Sequence, residues 1–173
     1  MPFWTDSALE PKRQHRWILS IKSEYDIPSY VIKKVDKPTI TINETEHKFF
    51  GHSFWYPGHV TWETVDVTLV DPINPDGAGK VMSAIHAAGY DIPSTRDSKT
   101  HMPSTISKVK AQAWFGGLIK LQQLDPANKV IETWRLYNPW IKSAKWGNLD
   151  YGSDDMVEIT LTLRYDYASY EGA

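Results

Sequence analysis

The sequence predicts a mainly β protein: a β-sandwich or barrel with one flanking α-helix, a long protruding hairpin and an N-terminal arm. Three observations predict this fold class. Apolar and polar residues alternate over many short runs, as is typical of half-buried strands. Proline and glycine separate those runs, and only one segment shows the wider apolar spacing of an amphipathic helix. Many strands with few helices favour a sandwich or barrel over an α/β fold.

The first half of the chain contains several alternating runs. Trp17, Leu19 and Ile21 would share one face of a strand, because successive side chains of a strand point to opposite faces. Turn residues such as Pro28 and Pro72 separate the runs. The strands predicted here lie at 16–22, 30–32 and 59–71.

A long hairpin is predicted at 38–56. An alternating β-branched run opens this segment and an aromatic-rich run closes it, with polar residues between them. Two β-rich runs joined by a polar turn are typical of a β-hairpin. Pro57 and Gly58 would end its second strand.

One helix is predicted at 79–88, where five apolar residues fall on one helical stripe and Gly89 is a suitable stop. The polar segment that follows, 90–113, predicts a variable surface loop, with room for a helical turn or two after residue 104. The C-terminal third returns to strand periodicity. Its predicted strands lie at 118–124, 130–137, 140–146 and 157–167.

The length of 173 residues suits one domain over 1–173, with an N-terminal arm at 1–13. Two large aromatic residues of the arm, Phe3 and Trp4, are expected to dock on this subunit or on a neighbour. The aromatic fraction of 13% and the 8 Trp indicate either a Trp-rich core or an extensive contact surface. The net charge of −2 argues against a protein that binds nucleic acid through its phosphates, because such a protein should carry an excess of basic residues.

Composition excludes several kinds of chemistry. With 0 Cys, the chain has no disulfide, thiolate metal site or cysteine nucleophile. No apolar run approaches the ~20 residues of a membrane helix, and the first ten residues lack the apolar core of a signal peptide. We therefore expect no membrane anchor.

No motif predicts a cofactor or a metal. The six histidines do not show zinc-site spacing, although His47, His52 and His59 could meet in space. The run at 77–80 (GAGK) lacks the spacing of a phosphate loop and is interpreted as the first turn of the helix.

Six ordered stretches resemble tail tube proteins of contractile-tailed bacteriophages. The resemblance covers most of the chain, is weakest over 90–113, and rests on the ordered set rather than on any one motif. The stretches are 3–6 (FWTD), 11–13 with 16–17, 62–72 (WETVDVTLVDP), 134–142 (WRLYNPWIK), 147–155 (GNLDYGSDD) and 158–168 (EITLTLRYDYA).

The resemblance implies a structural virion protein without catalytic residues, and hence not an enzyme. Its copies would form stacked hexameric rings, the hollow inner tube of a contractile tail that delivers the genome. The implied partners are further copies, the tail sheath protein, and baseplate and tail terminator proteins. Tape measure protein and DNA would pass through the lumen without specific binding, and assembly would take place in the host cytoplasm. A baseplate-proximal tube initiator of the same fold is the alternative within this family.

Two candidate surfaces follow from this resemblance. The ring or subunit interface is expected at exposed aromatic residues, unless the hairpin folds onto its own core. A lumen wall that binds no DNA should be polar and neutral or acidic, and two strands offer such faces. The interface candidates are Phe3, Trp4, Phe49, Phe50, Phe54 and Trp55. The lumen candidates are Thr64, Asp66 and Thr68, or Glu158, Thr160 and Thr162.

Two other classes of protein stay open. A carbohydrate-binding β-sandwich would stack sugars on exposed tryptophans, here Trp55, Trp140 and Trp146. A small hydrolase would need an acid pair such as Asp150 and Glu158, or a Ser/His pair such as Ser104 and His101.

Overall fold

The computed structural model describes residues 10–21, 28–90 and 105–172. Within these ranges, ten strands and two helices follow each other, and a 3-10 turn, Ser29–Val31, precedes the second strand. The strands are β1 Trp17–Ile21, β2 Ile32–Val35, β3 Ile40–Phe49, β4 His52–Trp62, β5 Val65–Val70, β6 Leu118–Leu124, β7 Val130–Tyr137, β8 Trp140–Lys145, β9 Glu158–Arg164 and β10 Tyr167–Gly172. The helices are α1 Gly77–Ala87 and α2 Lys108–Ala113.

Eight of the strands form two four-stranded sheets, and β3 and β4 form a separate hairpin. The first sheet has the order β1-β6-β7-β10, and the second has the order β2-β5-β9-β8. All the paired strands are antiparallel. This confirms the predicted mainly β fold with flanking helix and protruding hairpin.

The inward faces of the two sheets, the buried side of α1 and the residues just after α2 form one apolar core. Alternate residues of β9 are almost inaccessible to water, as the sequence pattern predicts for a strand with one buried face. Val81 and Ala84 of α1 join the same cluster, as do Trp114 and Phe115 just after α2. Removing this apolar surface from water is the main stabilising contribution to the fold.

Helix α1 begins at two carboxylates. Asp76 accepts a hydrogen bond from the Gly79 N–H at 3.1 Å, and Asp71 accepts from the N–H groups of Gly77 and Ala78 at 3.1 and 3.2 Å. Both carboxylates satisfy backbone donors that the first turn of a helix leaves without partners. The run 77–80 is therefore a helix N-terminus, as interpreted from the sequence, and its donors are already used.

Two predicted strands are in fact divided. The run 59–71 is split between β4, which ends at Trp62, and β5, which starts at Val65. The run 157–167 is split at Tyr165–Asp166, where the chain passes from the second sheet to the first. Tyr167 therefore belongs to β10 and not to the strand that was predicted to contain it. Alternation continues through both breaks, so periodicity alone does not mark them.

The hairpin is longer than predicted, because its second strand continues to Trp62. Pro57 and Gly58 do not end the strand. They lie at a register shift between the pairs Ile42–Val60 and Glu44–Pro57. Proline is tolerated there because a bulge or a free edge needs no ladder donor. Helix α2 lies within the segment predicted as a variable loop, and 91–104 of that segment lies outside the described residues.

Candidate assembly surfaces

The hairpin projects from the sandwich with its side chains in solvent. Every residue from 40 to 60 is exposed, and among the described strands β3 and β4 pair only with each other. Strands of 10 and 11 residues extend about 33 Å at ~3.3 Å per residue. An isolated two-stranded hairpin is marginally stable in water. This geometry excludes a hairpin folded onto its own core.

The four interface candidates on the hairpin are all exposed in the single chain. The exposed fractions are 59% for Phe49, 87% for Phe50, 48% for Phe54 and 57% for Trp55. Sequence reasoning missed four further exposed apolar residues on the same hairpin. These are Ile40, Ile42, Tyr56 and Val60. Such an apolar surface is unusual on a chain that functions alone.

Strand register distributes these side chains over both faces of the hairpin. Residues opposite each other across the ladder share a face. Ile42 and Val60 pair on one face, with Trp55 farther along it, whereas Tyr56 and Phe54 lie on the other. Both faces therefore offer large apolar contacts, and a partner could cover either one.

The tip of the hairpin is a two-residue turn with an unusual residue. Phe50 has φ 45° and Gly51 has φ 77°, which is the left-handed pair that a type I′ turn requires. Asn or Gly normally stands at the first of these positions. Phe50 packs edge-on against Phe49 with ring centroids 4.5 Å apart. A bulky residue in strained backbone at the most exposed point of the hairpin suggests a role in contact.

The other predicted interface residues, Phe3 and Trp4, lie outside the described residues. The described end of the arm, 10–13, is attached to the sandwich. Gln123 Nε2 donates to the Arg13 carbonyl at 3.2 Å, and Lys12 forms an ion pair with Glu132.

Glu132 is a buried carboxylate that sequence reasoning missed. Its side chain is only 5% exposed, and it accepts hydrogen bonds from Lys12, from Lys37 Nζ at 2.6 Å and from Trp134 Nε1 at 2.6 Å. Burial alone would raise the pKa of Glu132, but the bonds from Lys12, Lys37 and Trp134 together outweigh it and lower the pKa to about 2. No short motif could have identified this group, because its lysine partners lie about a hundred positions away in the chain.

A cleft of about 670 Å³ opens beside this carboxylate. Trp17 and Trp134 line it from the first sheet, and lysines line it from the β2 side, Lys33 and Lys34 among them. Lys33 is paired with Glu158 and Lys34 lies 3.6 Å from Asp36. The lysines of the cleft are thus largely neutralised by the chain's own acids.

The two groups of lumen candidates, taken from separate strands, lie on one surface. Asp66 pairs with Thr162, and Thr68 with Thr160, on the face of β5 and β9 that points away from the core. Glu158 continues this outer face of the second sheet. Thr64 does not belong to a strand, because it lies in the break between β4 and β5.

The edge strands change the charge of this outer face. Register places Lys34 of β2 beside Thr68, and Lys145 of β8 beside Thr160. The centre carries Asp66 and the threonines, while lysines flank it. Overall the outer face of the second sheet is polar and mixed in charge rather than acidic.

Among the described residues there is no group of three or more His, Asp or Glu side chains that could hold a metal ion. His47 and His52 are near the hairpin tip by register, whereas His59 lies at the bulge. Asp150 accepts from the Gly152 N–H at 2.9 Å and Glu158 is paired with Lys33, so each has another partner. Ser104 and His101 lie outside the described residues.

The three tryptophans proposed for sugar stacking lie on different elements. Trp55 is on the hairpin, Trp140 starts β8 and Trp146 follows its end. Six strand positions separate the last two by about 20 Å. This spacing does not build a single stacking platform. In the part of the chain that the structure describes, no helix is long and apolar enough to cross a membrane.

No protein-family model and no curated protein matches the chain. Solved structures do match its fold. A chain of the anti-feeding prophage baseplate, in its 6-fold symmetrised cryo-electron microscopy structure, superimposes with a TM-score of 0.66 at 15% identity, covering 94% of this chain and 97% of that one. A chain of the anti-feeding prophage tube-terminating cap superimposes with a TM-score of 0.65 at 17% identity, covering all of both chains.

A third similar structure is the sheath–tube complex of the PVC extracellular contractile injection system, in its extended state. One of its chains gives a TM-score of 0.60 at 18% identity, covering 94% of this chain and 93% of that one. At these identities the likeness establishes the fold. The chain therefore has a β-rich, tube-like fold that is found in the tube, cap and baseplate assemblies of contractile injection systems.

Proposed function

We propose that the chain is a structural tube subunit of a contractile tail, whose copies form rings that stack into a hollow tube. The observation that carries the proposal is the hairpin, about 33 Å long, with aromatic residues exposed on both faces over 40–60 and, among the described strands, no sheet partner beyond its own two strands. The fold likeness to chains of contractile injection systems supports it.

Assembly accounts for what the single chain leaves exposed. A ring needs a head-to-tail interface that closes on rotation, and stacking needs a second interface that does not close. Phe49, Phe50, Phe54 and Trp55 would pack on a neighbouring copy, and Phe3 and Trp4 of the arm would do the same. The sixfold symmetry of one similar assembly supports hexameric rings.

In this proposal the outer face of the second sheet lines the lumen. Its centre is built from Asp66, Thr68, Thr160 and Thr162, and Glu158 lies at its end. Because the centre of this wall carries an acid and threonines, it makes weak phosphate contacts there, which suits passage of DNA and tape measure protein without specific binding. The sheath protein would cover the outside, and baseplate and terminator proteins would meet the two ends. A phage virion, assembled in the host cytoplasm, is the setting that the sequence resemblance favours.

A baseplate-proximal initiator of the same tube is the second candidate, and the likeness to a baseplate chain favours it. Copy number separates the two roles. A tube subunit is present in many stacked rings, whereas an initiator is confined to the baseplate end of the tube.

Electron microscopy of the purified chain tests the proposal. We expect rings or tubes above a threshold concentration. Phe54→Ser and Trp55→Ser should each raise that threshold about tenfold or more, because truncating a central aromatic contact costs about 2 kcal/mol. Tyr30→Ser removes an even more exposed aromatic residue outside the hairpin and should leave the threshold unchanged. A chain that stays monomeric at high concentration, with sheath or baseplate partner also present, would contradict the proposal.

A further inference from the structure

The buried carboxylate Glu132 is linked to two segments that lie outside the two four-stranded sheets. Lys12 belongs to the arm, and Lys37 lies in the link between β2 and the hairpin strand β3. Both lysine ammonium groups donate to Glu132, one to each carboxylate oxygen. Their side chains are about half exposed, so each lysine reaches inward from the surface to a group that water hardly contacts.

Gln123 on the neighbouring strand β6 reinforces both links. It lies in register with Glu132 of β7. Its Oε1 accepts from Lys37 Nζ at 2.7 Å and its Nε2 donates to the Arg13 carbonyl at 3.2 Å. One pair of adjacent side chains therefore holds the base of the arm and the base of the hairpin.

Other contacts also hold the base of the hairpin: Trp62, the last residue of β4, packs on the core beside Tyr165, with ring centroids 6.2 Å apart. The bond from Glu63 N to the Thr39 carbonyl, at 2.9 Å, closes the base of the hairpin within itself. The bond from Asp36 N to the Asp66 carbonyl, at 3.0 Å, ties the end of β2 to β5. Lys37 comes between these two points, and its side chain reaches Gln123 and Glu132 of the first sheet.

We propose that Glu132 is a positioning residue for assembly, which sets the directions in which the hairpin and the arm leave the sandwich. This inference rests on the proposed function, because it takes both segments as subunit-interface elements. Breaking one partner from a buried ion pair is costly, so the carboxylate keeps both lysines in place. Segments held in their bound direction lose less conformational entropy when a neighbouring copy binds.

The absence of cysteine from the chain permits a direct test in the monomer by paired spin labels. Labels at Thr45→Cys and Lys120→Cys report the hairpin against β6, and labels at Glu10→Cys and Lys120→Cys report the arm. Lys37→Met should broaden the hairpin distance distribution about twofold and leave the arm distribution unchanged. Lys12→Met should broaden the arm distribution and leave the hairpin distribution unchanged. Glu132→Gln should broaden both distributions.

Glu171→Gln is the matched control, since it removes a carboxylate that pairs with Arg135 at 2.5 Å on the far face of the same sheet. It should broaden neither distribution. Glu132→Gln should also raise the assembly threshold about tenfold, and Glu171→Gln should not.

Unchanged distance distributions in folded Lys37→Met and Lys12→Met would overturn the inference, whether or not Glu132→Gln folds. Because these distances are measured in monomers, the inference can fail while the wild type still forms tubes. If the wild type forms no rings but the distances respond as expected, the proposed function fails and the anchoring role of Glu132 stands.

Discussion

Glu132 shows how a charged residue can be kept inside a small β-sandwich. Removing a carboxylate from water is unfavourable by several kcal/mol unless partners replace the lost hydration. Two ammonium groups and an indole N–H do so here, and they hold the pKa of Glu132 at about 2. The same contacts raise the pKa of Lys12, chiefly through its hydrogen bond to Glu132.

Acid should remove this stabilisation in a defined window. The pKa of Glu132 falls from 4.5 in the ordinary carboxyl to about 2 in the fold, so its contribution is present above pH 5 and is lost as the pH falls towards 2. We expect wild type to exceed Glu132→Gln by about 2 kcal/mol in free energy of unfolding at pH 7, after allowing for the half-exposed lysines. Urea unfolding from pH 7 to pH 2.5 should show this difference shrinking; a constant difference would contradict the assignment.

Tyr165 presents the opposite case, a buried polar atom without a partner. The residue is 3% exposed, and its Oη has no hydrogen-bond partner among the described residues. Burial raises the pKa of the phenol. Tyr165→Phe should keep the ring packed beside Trp62, 6.2 Å away, and raise the free energy of unfolding by up to about 1 kcal/mol. A loss of more than about 1 kcal/mol in thermal or urea unfolding would indicate a hydrogen bond that this geometry lacks.

At the scale of an element, the hairpin carries local strain at the point where contact is expected. Phe50 occupies a left-handed conformation that costs a bulky residue about 1 kcal/mol or more. Phe50→Asn should therefore leave the monomer as stable as wild type or more stable by up to about 1 kcal/mol, because Asn-Gly favours this turn. The same change should raise the assembly threshold, measured by sedimentation.

Gly51 offers the control for that experiment. Its φ is 77° and a Cβ there would meet nothing within 4 Å, so Gly51→Ala adds backbone strain without removing an aromatic contact. It should lower monomer stability and affect assembly less than Phe50→Asn does. If Phe50→Asn assembled as readily as wild type, the tip would not be a contact.

The bounds of a strand could be predicted from the sequence where turn residues flank an alternating run at both ends. The strands predicted at 118–124 and 130–137 have those bounds in the structure, because Asp125 to Asn128 form a polar turn between them. Where the chain passes from one strand to the next without losing its alternation, the sequence pattern did not show that the run is two strands. The break at Tyr165–Asp166 is of this kind, because Tyr165 is buried in the core and continues the alternation of the buried residues of β9.

At the scale of the whole molecule, the candidate surfaces depend on which strands become neighbours. Periodicity indicated that Thr162 and Asp66 are turned away from the core, but only the order β2-β5-β9-β8 brings them together. That order also places Lys34 and Lys145 on the same face, which no local pattern reveals. Glu132 was missed for a similar reason, because it is recognisable only from partners distant in sequence.

Labelling in assembled tubes decides which surface faces the lumen. Thr162→Cys introduces a single cysteine at the centre of the outer face of the second sheet, in a chain with 0 Cys. In monomers it should react with a small maleimide and with a maleimide carried on a globular protein. In tubes it should keep its reaction with the small reagent and lose most of its reaction with the large one, because the lumen admits only the former.

Ser20→Cys is the matched site on the outer face of the first sheet, where it is exposed and pairs with Lys120. The two outer faces of a sandwich point in opposite directions, so a tube with one of them around its lumen turns the other outwards. Ser20→Cys should therefore react with both reagents in tubes as it does in monomers. A tube in which Ser20→Cys is protected from the large reagent and Thr162→Cys is not would assign the lumen to the first sheet.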